Sequence, residues 1–407
     1  MSNDLRRDVF RGMYNNPIYR NPHAGEKDDN SKSSGTQAPP SGWFSGIRLP
    51  RRQAIISFLN VLLLFVFVWH LPLLRTPGHS FLPSGASGPY THPSALHAPL
   101  KPDFTASVIS PSTRKSRRQL LAQARELSNL QFPKKIWQTW KTINLPDDET
   151  YTRRQTWFSV NPTHEYELLT DKTALDYVIK NFNATDPYIV YLYENLPQRI
   201  LAADILRYLI AYKSGGLYSD IDTECKRPIE TWVCQSIGNM PDVKKRDINL
   251  VVGVELDILD KTKYSEQWVK DAGFSRRIQF LQWTIYAKPG HEILRRMITS
   301  IQEAIRADIE KTEGKTIKKI KYNSTEILDA TGPWRYTQTI LDYVNDITGR
   351  EVKHEEFAGI TEGKVFGDVL FLPVNRLSPG VGHSNAGDDE TSFMIHHFKS
   401  SWRDDDE

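Results

Sequence analysis

Cysteine is scarce in this chain. The 407 residues hold two, Cys225 and Cys234, too few to staple a small disulfide-built scaffold. They lie nine positions apart, so a small-loop disulfide and two separate thiols both remain open, and the spacing matches no zinc-ligand pattern. An excess of one charge is lacking too. Fifty-two Lys and Arg against 49 Asp and Glu leave +3, which gives no electrostatic footing for nucleic acid and excludes it as a partner. The chain has no internal repeat. What remains, 39% apolar and 25% charged residues, is the composition of a globular protein, with ten Trp and seventeen Tyr available for core packing or sugar stacking.

One uncharged apolar run stands out, AIISFLNVLLLFVFVWHLPLL from Ala54 to Leu74. Its 21 residues are enough to cross a bilayer as one helix, with Trp69 and His70 near an interface. A cleaved signal peptide would start earlier, be shorter and carry a small-residue cleavage site. A buried core helix would not be flanked on both sides by unfolded-looking sequence. Arg48, Arg51 and Arg52 precede the run and only Arg75 follows closely, so the N-terminus is expected in the cytosol and the rest in a lumen. The expected layout is a disordered cytosolic tail (1–53), a transmembrane signal anchor (54–74), a Pro/Ser/Gly/His-rich disordered stem (75–130) and a catalytic domain (131–407). Arg114–Arg118 reads as a charge cluster opening a helix to about Leu130, with a processing site as the alternative. Asn183-Ala184-Thr185 and Asn323-Ser324-Thr325 are glycosylation sequons that suit a lumen; Asn161 is followed by proline and is excluded.

After Phe132-Pro133 the texture alternates. Strands are predicted at Ile136–Trp140 and Tyr166–Leu169, and helices at Tyr151–Phe158 and from a Thr170 or Asp171 cap to about Phe182. Such alternation predicts an α/β sheet. Ile200–Lys213 has apolar residues at 201, 205, 206, 209 and 210, an amphipathic helical pattern, and Gly215-Gly216 mark its end. Leu217–Asp222 then reads as a strand running into a loop. Ligands bind at the carboxyl ends of strands in open α/β sheets, and on extended backbone residues i and i+2 point the same way, so Asp220 and Asp222 are expected to face one site. Two hard oxygen ligands there suit Mg²⁺ or Mn²⁺ shared with phosphate oxygens. The bland alternative is a pair of turn-capping aspartates.

Six stretches widen this reading: FPKKIWQTWK (132–141), ADILRYLIAYKSGGLYSDIDT (203–223), FLQWTIYAKPGHEIL (280–294), TGPW (331–334), LSPGVGH (377–383) and HHFKSSW (396–402). In this order they resemble the fungal Golgi mannosyltransferases of glycosyltransferase family 32, and within it the initiation-specific α-1,6 group. The resemblance implies a GT-A-like (Rossmann-like) nucleotide-sugar-binding domain, Mn²⁺ or another divalent cation at the D-x-D, GDP-mannose as donor and an N-linked glycan as acceptor. It also implies a Golgi, type II membrane setting among other Golgi mannosyltransferases.

The same resemblance assigns roles. Asp222 would ligate the metal directly, and Asp220 would touch the donor ribose or the metal through water. Asp204 would bind donor hydroxyls, and Arg207, one helical turn on, would contact the sugar or the diphosphate; the alternative is a helix-surface ion pair. Relatives often carry a basic residue where this chain has Ala202. His396 and His397 sit on an expected strand, Phe393–Phe398, and point oppositely, so at most one reaches the metal. Ser400 stands where relatives often have glycine. Gly380–His383 is expected to be a flexible loop near the site, followed by a mobile 384–391. Trp137 and Trp140 would line the nucleotide pocket or pack in the core.

The implied reaction moves mannose with retention of configuration, initiating or extending the outer chain of an N-glycan. A glycolipid or polymannose acceptor is a second reading, less in keeping with the charged RDDDE ending. A non-catalytic subunit is a third, disfavoured by the intact D-x-D.

Overall fold

The computed structural model describes residues 115–398, apart from 146, 272–275, 382, 385 and 388–389. The expected tail, the apolar run at 54–74, the stem as far as 114, and Ser400 lie outside the described residues. Among the described residues no helix is long and apolar enough to cross a membrane.

Helix α1 (Arg117–Ser128) opens on a capping box in which Ser116 and Gln119 exchange side-chain and backbone hydrogen bonds. It is not part of a loose stem. Leu120 is fully buried, Arg117 Nε donates to the Ile347 carbonyl at 3.1 Å, and Gln123 Nε2 donates to the Gly290 carbonyl at 2.9 Å. The expected boundary at 130/131 therefore moves N-terminal to Ser116, because the Leu120 and Leu127 face of this helix is covered by the domain.

Strand β1 (Lys135–Trp140), helix α2 (Asp148–Val160), strand β2 (Glu165–Thr170) and helix α3 (Asp171–Phe182) follow in the predicted alternation. Thr170 caps α3 by accepting from the Thr173 amide. Helices α4 (Pro187–Asn195) and α5 (Arg199–Lys213) lead to β3 (Gly216–Ser219), β4 (Thr223–Cys225) and α6 (Ile229–Ile237). Next come β5 (Leu250–Asp257), α7 (Glu266–Asp271), β6 (Ile278–Phe280), β7 (Thr284–Ala287) and α8 (Glu292–Lys311). Helices α9 (Ser324–Ala330) and α10 (Pro333–Thr348), strands β8 (Lys364–Phe366) and β9 (Val369–Leu372), α11 (Val374–Leu377) and β10 (Met394–His396) complete the described chain.

The main sheet runs β2-β1-β3-β7-β5-β9-β8, with β6 added to β5. It is mixed: β1 is parallel to β2 and β3, β5 is parallel to β9, and β7 lies antiparallel between β3 and β5. Strands β1, β2, β3, β5 and β9 thus all present their carboxyl ends to one edge. Successive residues face opposite layers. Trp137, Tyr218, Val252 and Val254 join the core under α3, α5, α8 and α10, while Ile136, Leu217 and Val251 join a second core with Trp157 of α2 and Trp232 of α6. The result is a helix–sheet–helix sandwich.

Helix α5 departs from its amphipathic expectation. From Leu201 to Ala211 all but Ala203 are buried, Asp204 and Arg207 included, because the helix packs on β3 and β7 from below and on α4 and α8 at its sides. Its end is as read. Gly215 and Gly216 adopt φ of +65° and +84°, and a Cβ on Gly216 would meet the Lys135 carbonyl oxygen at 2.5 Å. The second glycine is therefore required twice, by its backbone angle and by the approach of β1.

Candidate active site

Strand β3 stops at Ser219, one residue short of the first acid. Residues Asp220–Asp222 form a turn rather than extended backbone, so the pleat does not explain their shared direction. The turn does. The Asp220 amide donates to the Trp283 carbonyl at 2.9 Å. The Asp220 carbonyl accepts from Gln138 Nε2 at 2.9 Å and from Thr223 Oγ1 at 2.6 Å. Strand β4 then departs to pair with β10, in the register His396↔Thr223 and Ile395↔Glu224. Trp157 Nε1 fastens β4 by donating to the Thr223 carbonyl at 3.1 Å.

That short pairing delivers a histidine from near the other end of the chain. His396 Nε2 lies 3.2 Å from Asp222 Oδ1, and one ligand atom from each of Asp220, Asp222 and His396 lies within 4.8 Å of the others. His396 stacks face to face on Trp283, ring centroids 4.3 Å apart. His397 points the opposite way, and its Nε2 meets Glu224 Oε2 at 3.2 Å, holding that carboxyl below its usual range. The expected strand Phe393–Phe398 shortens to Met394–His396, and the choice left open between the two histidines falls on His396.

Two carboxylates and an imidazole are a donor set that fits a divalent first-row cation such as Mn²⁺, with room for phosphate oxygens. Burial disfavours a charged His396, yet Asp222, with Asp220 and Glu255 behind it, lifts its imidazole above the ordinary value. Burial raises Asp220 against the pull of Arg207.

Asp204 and Arg207 are not a helix-surface pair. They are 2% and 5% exposed, and Arg207 Nη1 donates to Asp204 Oδ1 at 2.7 Å. Arg207 Nη2 lies 3.4 Å from Asp220 Oδ1, while Tyr218 Oη donates to the same oxygen at 2.7 Å. The guanidinium therefore couples the helix acid to the D-x-D acid. Asp204 also accepts from Gln282 Nε2 at 3.2 Å and Thr331 Oγ1 at 2.7 Å. Burial still pushes its carboxyl up to about 6, against Arg207.

These groups line one cavity of about 280 Å³ at the carboxyl edge of the sheet, with Trp140, Ala202 and Trp283 also in its wall. Trp137 is a correction. It faces the core, packs edge-on against Tyr177 and donates to the Gly215 carbonyl, because it sits mid-strand while Trp140 ends β1. The 380–383 loop is a second one. His383 is buried with Nδ1 2.6 Å from Ser384 Oγ, which accepts from the Asp257 amide, so this end of the loop is pinned to the end of β5, and Gly380, Val381 and His383 are absent from the described cavity wall. Of the expected mobile stretch 384–391, residues 385 and 388–389 lie outside the described residues, and Ser384 is held.

Gln282, Trp283 and Thr331 had no role assigned from the sequence, although all three lie in stretches that carried the resemblance. Glu255 was not among the expected site residues. Glu255 is 4% exposed on β5, lines the cavity, and accepts from Gln279 Nε2 at 2.7 Å and Trp283 Nε1 at 3.2 Å; burial raises its carboxyl above the usual range despite both bonds. A lone glutamate inside the apolar run LVVGVELD was its available signal.

The remaining expectations lie away from the cavity. Asn183 is exposed at the end of α3, and exposed Asn323 caps α9 by accepting from the Thr325 and Glu326 amides. Cys225 and Cys234 are unpaired thiols, the first buried and pushed up to about 12 by that burial, the second exposed.

Residues 147–238 match the model of a glycosyltransferase sugar-binding region containing the D-x-D motif. The initiation-specific α-1,6-mannosyltransferase of Candida albicans is 36% identical over 312 residues, covering 71% of this chain and 77% of that protein. The Schizosaccharomyces pombe protein of the same name is 34% identical over 277 residues, 67% of this chain and 64% of its own length. Inositol phosphoceramide mannosyltransferase 3 of S. pombe is 37% identical over only 100 residues, 24% of this chain and 26% of that protein.

Proposed function

The chain belongs to the D-x-D glycosyltransferase family of the fungal initiation-specific α-1,6-mannosyltransferases, and from that premise we propose that it transfers mannose from GDP-mannose to the 6-hydroxyl of a mannose on an N-linked glycan core. The observation that carries the reading is the convergence of Asp220, Asp222 and His396 at a cavity that also holds the Asp204–Arg207 pair.

The residues divide the work. Asp220, Asp222 and His396 would hold the divalent cation, Mn²⁺ by preference, which supplies Lewis-acid stabilisation of charge on the leaving diphosphate. Arg207 fixes the Asp220 carboxylate from one side and Tyr218 fixes it from the other, so that ligand is set before substrate arrives. Asp204 is the group for donor hydroxyls, held in place by Gln282 and Thr331. Trp283 and Phe398 flank His396 and limit its ring to one orientation. Donor and product are both α-linked, so transfer proceeds with retention.

The N-glycan reading is favoured over a glycolipid acceptor because the α-1,6 relatives match along most of their length and the inositol phosphoceramide relative along a quarter. The intact ligand set weighs against a non-catalytic subunit. The apolar run at 54–74 with its preceding arginines supports a type II protein of the Golgi membrane, luminal in its catalytic domain, working beside other mannosyltransferases and glycosylated at Asn183 and Asn323. A protease-protection assay on intact Golgi vesicles checks the orientation, and cytosolic exposure of the domain would refute it.

The deciding assay gives the full-length chain GDP-mannose, Mn²⁺ and a high-mannose N-glycan. One α-1,6-linked mannose per acceptor is expected. No transfer to the N-glycan, with mannosylation of an inositol phosphoceramide instead, would overturn the acceptor assignment.

A further inference from the structure

We propose that Glu255 binds the attacking hydroxyl of the acceptor and receives its proton, an assignment that rests on the glycosyl-transfer reading above. Strand β5 is buried from Leu250 to Asp257, and an apolar residue would suit position 255 better than an acid. The strand is also irregular at this residue. Val254 pairs with Phe280 and Leu256 with Gln279, so Glu255 is the extra residue of a bulge against β6. Bulges re-aim side chains next to functional sites, and this one turns a carboxylate into the cavity wall.

The partners of Glu255 leave it reactive. Both are neutral donors, the Gln279 amide and the Trp283 indole, and among the described residues no Lys or Arg forms an ion pair with it. A carboxylate offers about four acceptor positions, so two bonds leave capacity for a hydroxyl. Glu255 is also separate from the ligand triad. Trp283 stands between, its indole nitrogen on Glu255 and its ring face on His396. The cavity therefore has a metal-binding wall and, across one indole, a carboxylate with no ligand role. In the reaction the acceptor oxygen bonds to the anomeric carbon on the same face that the diphosphate leaves, as retention requires. The bond from that carbon to the diphosphate oxygen breaks, its electron pair stays with the diphosphate, and the hydroxyl proton passes to Glu255.

A double-mutant cycle between protein and acceptor tests this. Full-length wild type and Glu255→Gln are compared, with GDP and Mn²⁺ present, for binding of a mannose-terminated acceptor and of the same acceptor lacking the attacking 6-hydroxyl. The expected result is about tenfold weaker binding of the natural acceptor to the variant, no change for the deoxy acceptor, Mn²⁺–GDP affinity within about twofold, and a kcat loss of roughly 100-fold or more. Equal losses for both acceptors, or a Mn²⁺–GDP affinity that falls tenfold, would overturn the assignment and leave Glu255 as a support for Trp283 and His396. Should Glu255→Gln not fold, Glu255→Asp carries the same cycle, since withdrawing the carboxylate by one methylene also breaks the contact. A wild-type protein that transfers no mannose to any acceptor removes the premise, and the proposal with it; an uncoupled cycle in an active enzyme sinks only Glu255.

Discussion

Two buried polar clusters sit at opposite edges of the main sheet, and they are built on opposite principles. At the amino edge Asp368, just before β9, accepts from Tyr343 Oη at 2.7 Å and Asn249 Nδ2 at 2.7 Å, and lies 3.3 Å from His291 Nε2. Lys288 completes the set by donating to Asn249 Oδ1 at 2.9 Å and the Arg246 carbonyl at 2.7 Å. Burial works against the Asp368 charge, yet His291, Tyr343 and Asn249 hold its carboxyl below the usual range. At the carboxyl edge Asp204, Asp220, Asp222 and Glu255 outnumber Arg207 and His396 around the cavity, and burial raises Asp204, Asp220 and Glu255. In the first cluster the carboxylate is matched by the donors around it, and the cluster serves the fold. The other carries surplus negative charge around a cavity, which is unfavourable until a cation arrives.

Substitutions separate the two clusters. Asp222→Ala should reduce metal-dependent mannose transfer by roughly 10³-fold or more while leaving the fold intact, since it removes charge from an over-supplied site. Near-normal turnover would take Asp222 out of the site. Asp368→Ala should do the reverse. Removing the acid from a buried charge network costs about 3–5 kcal/mol in urea unfolding, with activity per folded molecule little changed. A loss below about 1 kcal/mol would show that the amino-edge cluster is not a structural tie.

Chelation sharpens the contrast. Mn²⁺ at 100 times its Kd should stabilise the folded wild type by about 2.7 kcal/mol, an effect EDTA reverses, and Asp222→Ala should respond to neither. Asp368 variants should keep the response. An equal response in Asp222→Ala would mean that the stabilising ion binds elsewhere.

The smallest effect is in pH. Asp204 is raised to about 6 in the folded state from an unfolded value near 3.8, so its contribution is fully present below the unfolded value and is lost as pH rises through about 6. Asp368 is shifted down, so its contribution is present above the unfolded value and is lost as pH falls through the folded one. In metal-free protein, Asp204→Asn should flatten the decline between about pH 4 and 6 by on the order of 1–3 kcal/mol. An unchanged slope would mean that another group sets it.

The same comparison explains what could be read from the chain alone. Local signals were sufficient for α5, its glycine stop and the Thr170 cap, because cap chemistry and backbone angles act over a few residues. The D-x-D was legible for the same reason. Its geometry was not: the strand ends at Ser219, and a turn bonded to Gln138, Thr223 and Trp283 aims the acids. Choosing between His396 and His397 needed the β4–β10 register, a pairing across some 170 residues. Trp137 and Trp140, three residues apart on β1, differ in face and in distance from the strand's end, and the sequence alone did not say which face met the site. Glu255 needed the bulge against β6, and helix α1 needed the partners that cover Leu120, all of them distant in sequence.

Mn²⁺ titration of the full-length protein in the presence of GDP, followed by electron paramagnetic resonance, tests the surplus-charge site most directly. One tight site in the wild type should vanish in Asp222→Ala and His396→Ala and persist in His397→Ala. Retained binding in His396→Ala together with loss in His397→Ala would contradict the site described.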